Sequence, residues 1–263
     1  MTVGVVFPAT PPFRVVPPAC GRLAPYHPQA MASVPLSLPQ SQQLARTSAE
    51  TVARCRALAA LHLRGRADRL LDGTLAAEAS ALTATAAVWR ELCAEERSRL
   101  HAPLGMLSAD QLARCLDDAE TLALLLWTLG VIEALLPFHL PYDADETLLL
   151  RARYAELPSM TESDPEPLPL LPAAEVDQVA DGCVSWRWRI ELAQRPGSAD
   201  FSPFGLSRAA WKAYGRGFAS RPVSEDYGCG GCGYGELSRE RQTEIERIVA
   251  ARLRAVIWLT EIV

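Results

Sequence analysis

ETLALLLWTLGVIEALLPF, residues 120–138, is the densest apolar stretch of the chain. From Leu122 to Ile132 no charge interrupts it, and Glu120 and Glu133 bound it. A membrane-crossing helix needs about 20 apolar residues without charge; only 11 run uninterrupted here. A helix that is apolar on nearly all sides but too short for a bilayer belongs inside a protein. The segment therefore predicts a buried central helix of a water-soluble bundle, ended by Pro137 and Pro141.

Working outward, the neighbouring segments read as helices that wrap this one. Thr47-Ser48-Ala49-Glu50 has the capping-box form, a hydroxyl followed three residues later by a carboxylate. Val52, Cys55, Leu58, Ala59 and His62 then recur at helical spacing. Residues 66–78 and 80–100 continue in Ala/Leu-rich composition, and Pro103 and Gly105 break the run. Ser108-Ala109-Asp110-Gln111 is a second capping box and predicts a short helix through Leu116. Helix is expected again over Ala173–Gln194 and over 207–214. A last helix runs from about Ser238, with Ile245, Ile248, Val249, Leu253, Val256 and Ile257 as its apolar stripe. Residues 157–172 hold five prolines and predict a long surface loop. No alternating run requires a sheet. The expected fold is all-α, a single helical bundle-like domain over 41–263 in two layers joined by the 157–172 loop.

Residues 1–40 contain nine prolines, and no acidic residue precedes Glu50. Proline at that density removes backbone donors and forbids helix, so a disordered Pro-rich arm is expected. The prolines also break every candidate secretory signal, and Met31 offers an alternative start. The net charge of −5 over 263 residues lacks the basic footprint of a nucleic-acid surface. Arginine outnumbers lysine 25 to one, Lys212 being the lysine, a bias typical of GC-rich, bacterial coding rather than of a phosphate site. Seven cysteines with no visible signal peptide fit a cytoplasmic, reducing compartment.

Several pieces together resemble an uncharacterised bacterial family, catalogued only as a domain of unknown function. They are Glu120, Leu125, Leu126, Trp127, Leu129, Gly130 and Pro137 in the central segment, and Trp188 in WRWRIELA. Asp226, Tyr234, Glu236 and Leu237 follow, then Arg252, Ala255, Trp258 and Leu259 in the closing helix. The order and spacing of these pieces carry the resemblance over residues 45–263. Leu253 stands where the family has His, Ile257 where it has Asn, and Gly and Cys replace a Phe-Gly-Lys segment. The resemblance implies no established activity.

DYGCGGCGYGELS, residues 226–238, holds the pair Cys229 and Cys232. A zinc site wants four ligands, and no second Cys-x-x-Cys, Cys-x-x-His or His-x-x-x-His occurs; Cys183, Cys115 or His139 would have to complete it in space. A redox pair or a dinucleotide cradle should follow a strand and open a helix, and neither pattern surrounds these residues. Five glycines among residues 228–235 make a tight turn into the last helix the simplest expectation.

Glu120, Trp127, Trp188, Arg189 and Arg252 are the candidate ligand-binding residues. A buried carboxylate beside arginines is either an anion or acid/base site or, more often, an ion pair that fixes helix register. No catalytic motif is present, and no catalytic residue or cofactor is expected. Two functions remain: a non-catalytic, cytosolic protein of the immunity or accessory type that binds another protein, or an enzyme or small-ligand binder using the Glu/Arg cluster.

Overall fold

In the computed structural model, residues 44–142, 144–157, 168–193, 228–229 and 232–260 are described. The proline-rich arm, the helix expected over 207–214 and most of the 157–172 loop lie outside these residues. The fold is all-α. Its helices are α1 (Ser48–Leu70), α2 (Gly73–Leu82), α3 (Ala86–Arg90), α4 (Ala94–His101), α5 (Ala109–Thr128), α6 (Ala144–Ala155), α7 (Ala173–Ala193) and α8 (Arg239–Thr260). No helix among the described residues is long and apolar enough to cross a membrane.

Both capping boxes form. Glu50 N donates to Thr47 Oγ1 and Thr47 N to Glu50 Oε2; Gln111 N donates to Ser108 Oγ and Ser108 N to Gln111 Oε1. Each satisfies two backbone donors that a helix start leaves orphaned. From Ser108 the chain runs as one unbroken α5, where the sequence suggested a short helix and then a second one. It packs against α1 on one side and α8 on another, with residues 118–126 buried throughout. The apolar run is thus the centre of the bundle.

The central helix stops at Thr128, earlier than the prolines suggested. Gly130 takes φ 67, Gly130 N donates to Trp127 O at 2.8 Å and Val131 N to Leu126 O at 2.9 Å. That is the paired-bond pattern of a glycine-terminated helix, so a glycine inside the apolar run ends it before Pro137 can.

Alanine sets the other contact. Ala53, Ala57, Ala59, Ala60 and Ala67 are buried along α1, and small side chains let helices approach closely. At the closest point a Cβ on Gly65 would lie 2.4 Å from Cys115 Cβ, a distance no methyl group tolerates. His62 Nδ1 lies 3.2 Å from Cys115 O across the same contact.

The helix α6 has no counterpart in the sequence reading. Thr147, Leu150 and Tyr154 are buried at helical spacing, but the exposed Leu148 and Leu149 blur that stripe. Ahead of α8, β1 (Gly228–Cys229) pairs antiparallel with β2 (Cys232–Gly233). A 3-10 turn over Tyr234–Glu236 follows, where Gly233 N donates to Glu236 Oε2 at 2.9 Å.

Candidate functional site

Glu120 and Arg252 meet between α5 and α8. Arg252 donates from Nε and Nη2 to Glu120 Oε2 at 3.1 and 2.9 Å, and from Nη1 to Leu136 O at 2.6 Å. Tyr142 N donates to Glu120 Oε1 at 2.9 Å. The Arg252 side chain is 0% exposed, and its guanidinium sits 5.0 Å from the Phe138 ring centre. Phe138 lies 5.9 Å from Trp186, Trp186 5.9 Å from Tyr234, and Arg189 covers Tyr234 at 5.2 Å. A ladder of rings thus links Arg252 to Arg189. Both carboxylate oxygens and the guanidinium have protein partners, and the side chains of Arg252 and Glu120 are 0% and 7% exposed. Its chemistry is that of a register pin joining α5, α8 and the 136–142 segment.

Trp127 lies seven residues beyond Glu120 on α5, about 10 Å further along the helix. It is half-buried at the edge of the core and does not join the pair. The Trp188 side chain is outside the described residues. Cys229 and Cys232 face each other in the two-residue ladder, with Cys232 Sγ 3.4 Å from Cys229 O. No group of three potential metal ligands occurs among the described residues.

A second charged centre lies between α1, α4, α5 and α8, and this one is open. A cavity of about 240 Å³ is lined by Arg54, Arg99, Arg114, Arg254, Glu95, Glu96 and Asp118. Leu58, Leu125, Ala255 and Trp258 give it an apolar wall, and the exposed Cys93 sits among its lining residues at the N-cap of α4. Arg54 grips both oxygens of Glu96 at 2.7 and 2.8 Å and donates to Glu91 O at 2.7 Å. Burial opposes ionisation of Glu96, but Arg54 outweighs it and holds the carboxyl below its ordinary range. Arg114 pairs with Glu95 at the surface.

Asp118 is held less well. It accepts one hydrogen bond, 3.1 Å from Arg99 Nη1, which also contacts Cys115 Sγ at 3.5 Å. Burial pushes the Asp118 carboxyl up to about 6; Arg99 opposes the rise and Glu96 adds to it. Arg99 Nε is buried without a hydrogen-bond partner among the described residues. No ion pair engages Arg254 among the described residues, and its side chain is exposed. Sequence reading missed this centre because its parts come from four distant segments and none forms a motif.

A third feature is the end of α1. Arg64 donates from Nη1 to Asp68 Oδ1 at 3.0 Å and from Nη2 to Ala102 O and Pro103 O at 2.8 and 3.0 Å. Asp68 in turn accepts from Gly105 N at 2.7 Å and Leu107 N at 3.2 Å. This buried clamp fixes the 102–107 loop against α1. The loop then presents Met106, 70% exposed, and Leu104 beside Leu70 and Leu71, which are 63% and 67% exposed. A Cβ on Gly105 would lie 3.0 Å from Leu71 Cδ2, so Leu71 rests on the loop. Leu71 itself holds φ 53, the only non-glycine with positive φ among the described residues.

The described residues form an all-α bundle with a sealed ion pair, an open charged cavity and an apolar tip. The chain belongs to the family Domain of unknown function (DUF4272), whose model matches residues 27–198, which take in α1 to α7. The match stops before α8, so Arg252 and Trp258 lie beyond it. No curated protein and no solved structure matches the chain.

Proposed function

We propose that this is a non-catalytic, cytosolic protein that works by binding another protein, and that it docks through the tip formed by Leu70, Leu71, Leu104 and Met106. The observation that supports this reading is Leu71. A left-handed cap is ordinarily glycine or asparagine, and a leucine there costs about 1–2 kcal/mol. Here the leucine is also solvent-facing, so the fold spends stability to hold an apolar side chain in water. Backbone strain of this kind clusters at functional positions, and a rigid apolar patch is the usual mark of a protein contact. The sealed Glu120–Arg252 pair offers a substrate nothing to touch, which favours this reading over an active site there. The free thiols among the described residues are in keeping with a reducing compartment. An immunity or accessory role fits a binding protein of this size.

A photo-crosslinking residue at position 106, used in the native cell with mass-spectrometric identification, tests the reading. One recurrent partner, lost in the Leu70→Glu/Met106→Glu double variant, is the expected result. The Leu71→Gly variant separates docking from folding: it should melt higher, by about 1 kcal/mol of added stability, yet crosslink less. No recurrent partner, or a yield unaffected by these changes, would overturn the proposal.

A further inference from the structure

We infer that the open cavity between α1, α4, α5 and α8 is a binding site for a small organic anion, one carrying a carboxylate or phosphate head on a short apolar body. Charge counting supports the head. Four guanidiniums face three carboxylates there. Arg54 and Arg114 are committed to Glu96 and Glu95, and Arg99 shares one nitrogen with Asp118. Among the described residues that leaves Arg254 without an ion-pair partner and Arg99 only partly used, so the lining carries one excess positive charge. Guanidinium groups with donors to spare are the side chains best suited to a planar or tetrahedral oxyanion. The wall of Leu58, Leu125, Ala255 and the half-buried Trp258 supports the apolar body. A volume of about 240 Å³ sets the size, a ring with one anionic substituent rather than a nucleotide.

Protonation sharpens the expectation. Asp118 is faced by Arg99 and Glu96 of α4, Arg54 of α1 and Arg254 of α8, with Cys115 on its own helix. Its carboxyl, pushed up to about 6, loses its negative charge on mild acidification. The cavity then gains a second excess positive charge, so an anion binds more tightly at pH 5.5 than at pH 7.5.

Titration calorimetry with benzoate, phenyl phosphate and inorganic phosphate on the full chain tests the site. Benzoate or phenyl phosphate, or both, should bind at one site more tightly than inorganic phosphate, which lacks the apolar body. Arg254→Ala, a change at an exposed position, should weaken binding about tenfold, and Arg69→Ala, on the exposed end of α1, should leave it unchanged. Benzoate keeps its charge from pH 7.5 to 5.5, so its affinity should rise over that range in the native protein and stay flat in Asp118→Asn. A site on the cavity also shields Cys93 from thiol reagents. Absence of binding by all three probes at both pH values, or binding indifferent to Arg254, would overturn the inference. Arg54 and Leu70 are 16 residues apart on α1, about 24 Å, so failure of the docking tip would leave this test intact.

Discussion

Asp118 and Glu120 are two residues apart on α5, and Arg252 and Arg254 are two residues apart on α8. The same two helices therefore supply two acid–arginine centres whose side chains leave each helix about 200° apart. One is sealed: Glu120 and Arg252 fill each other's hydrogen-bonding positions and take the remainder from Leu136 and Tyr142. The other is open: Asp118 has one bond to Arg99, Arg254 only faces it across a cavity, and its carboxyl is pushed up to about 6. The contrast teaches that burial of a charge does not by itself mark a functional site. What distinguishes the open centre is incomplete pairing beside a space that a ligand can enter.

The largest effect should come from breaking the sealed pair. Glu120→Gln leaves a fully buried guanidinium without its counter-charge, a loss of about 3–5 kcal/mol. Urea unfolding of the purified variant measures it. Adding Arg252→Met should recover much of the loss, since an apolar replacement of both partners removes the unpaired charge. A double variant as unstable as the single one would mean that Arg252 contributes mainly through its stacking on Phe138.

Thiol reactivity compares the two centres directly. Cys183 beside the sealed pair is completely buried, and burial pushes its thiol up to about 12. Cys93 lines the open cavity and is exposed. In the native protein Cys93 should alkylate at least about 100-fold faster than Cys183, because only an accessible thiolate reacts. Peptide-resolved mass spectrometry after timed iodoacetamide exposure reads both rates. Equal rates would show that the sealed centre opens on that timescale.

The sealed centre was partly legible in the sequence and the open one was not. Glu120 bounds an apolar run and Arg252 interrupts an apolar stripe, so each stands out as a charge in the wrong company. Arg54, Glu96, Arg99, Arg114 and Asp118 lie on helices with ordinary polar faces, among 25 arginines that a coding bias explains. Only the packing of α4 and α5 against α1 brings them together. The fold itself was readable where local chemistry is decisive, as at Thr47 and Ser108. It was misread where two signals competed, as at Gly130 against Pro137. Leu71 gave no signal at all, because nothing in a leucine announces a left-handed backbone.

The smallest expected effect, and the one that decides between the two centres, is Asp118→Asn. A carboxyl whose folded pKa lies above its unfolded value makes the native state less stable as pH rises from about 4 to about 6, where the folded protein must give up a proton it holds tightly. His62 works in the opposite sense. Burial lowers its pKa to about 4, so it removes stability as pH falls from about 6.5 to 4. The two nearly cancel in the native protein, whose stability should change little across that window on their account. Asp118→Asn deletes the first contribution and leaves the second. The variant should cost less than about 1 kcal/mol at pH 7, because the ionised carboxylate it replaces is poorly solvated. It should be better tolerated at pH 7 than at pH 4, with the His62 decline on the acid side uncovered. Urea midpoints at pH 4, 5, 6 and 7 for both proteins give the answer. A cost at pH 7 equal to that of Glu120→Gln would mean that Arg99 depends on Asp118 as fully as Arg252 depends on Glu120, and the distinction between an open and a closed centre would fail.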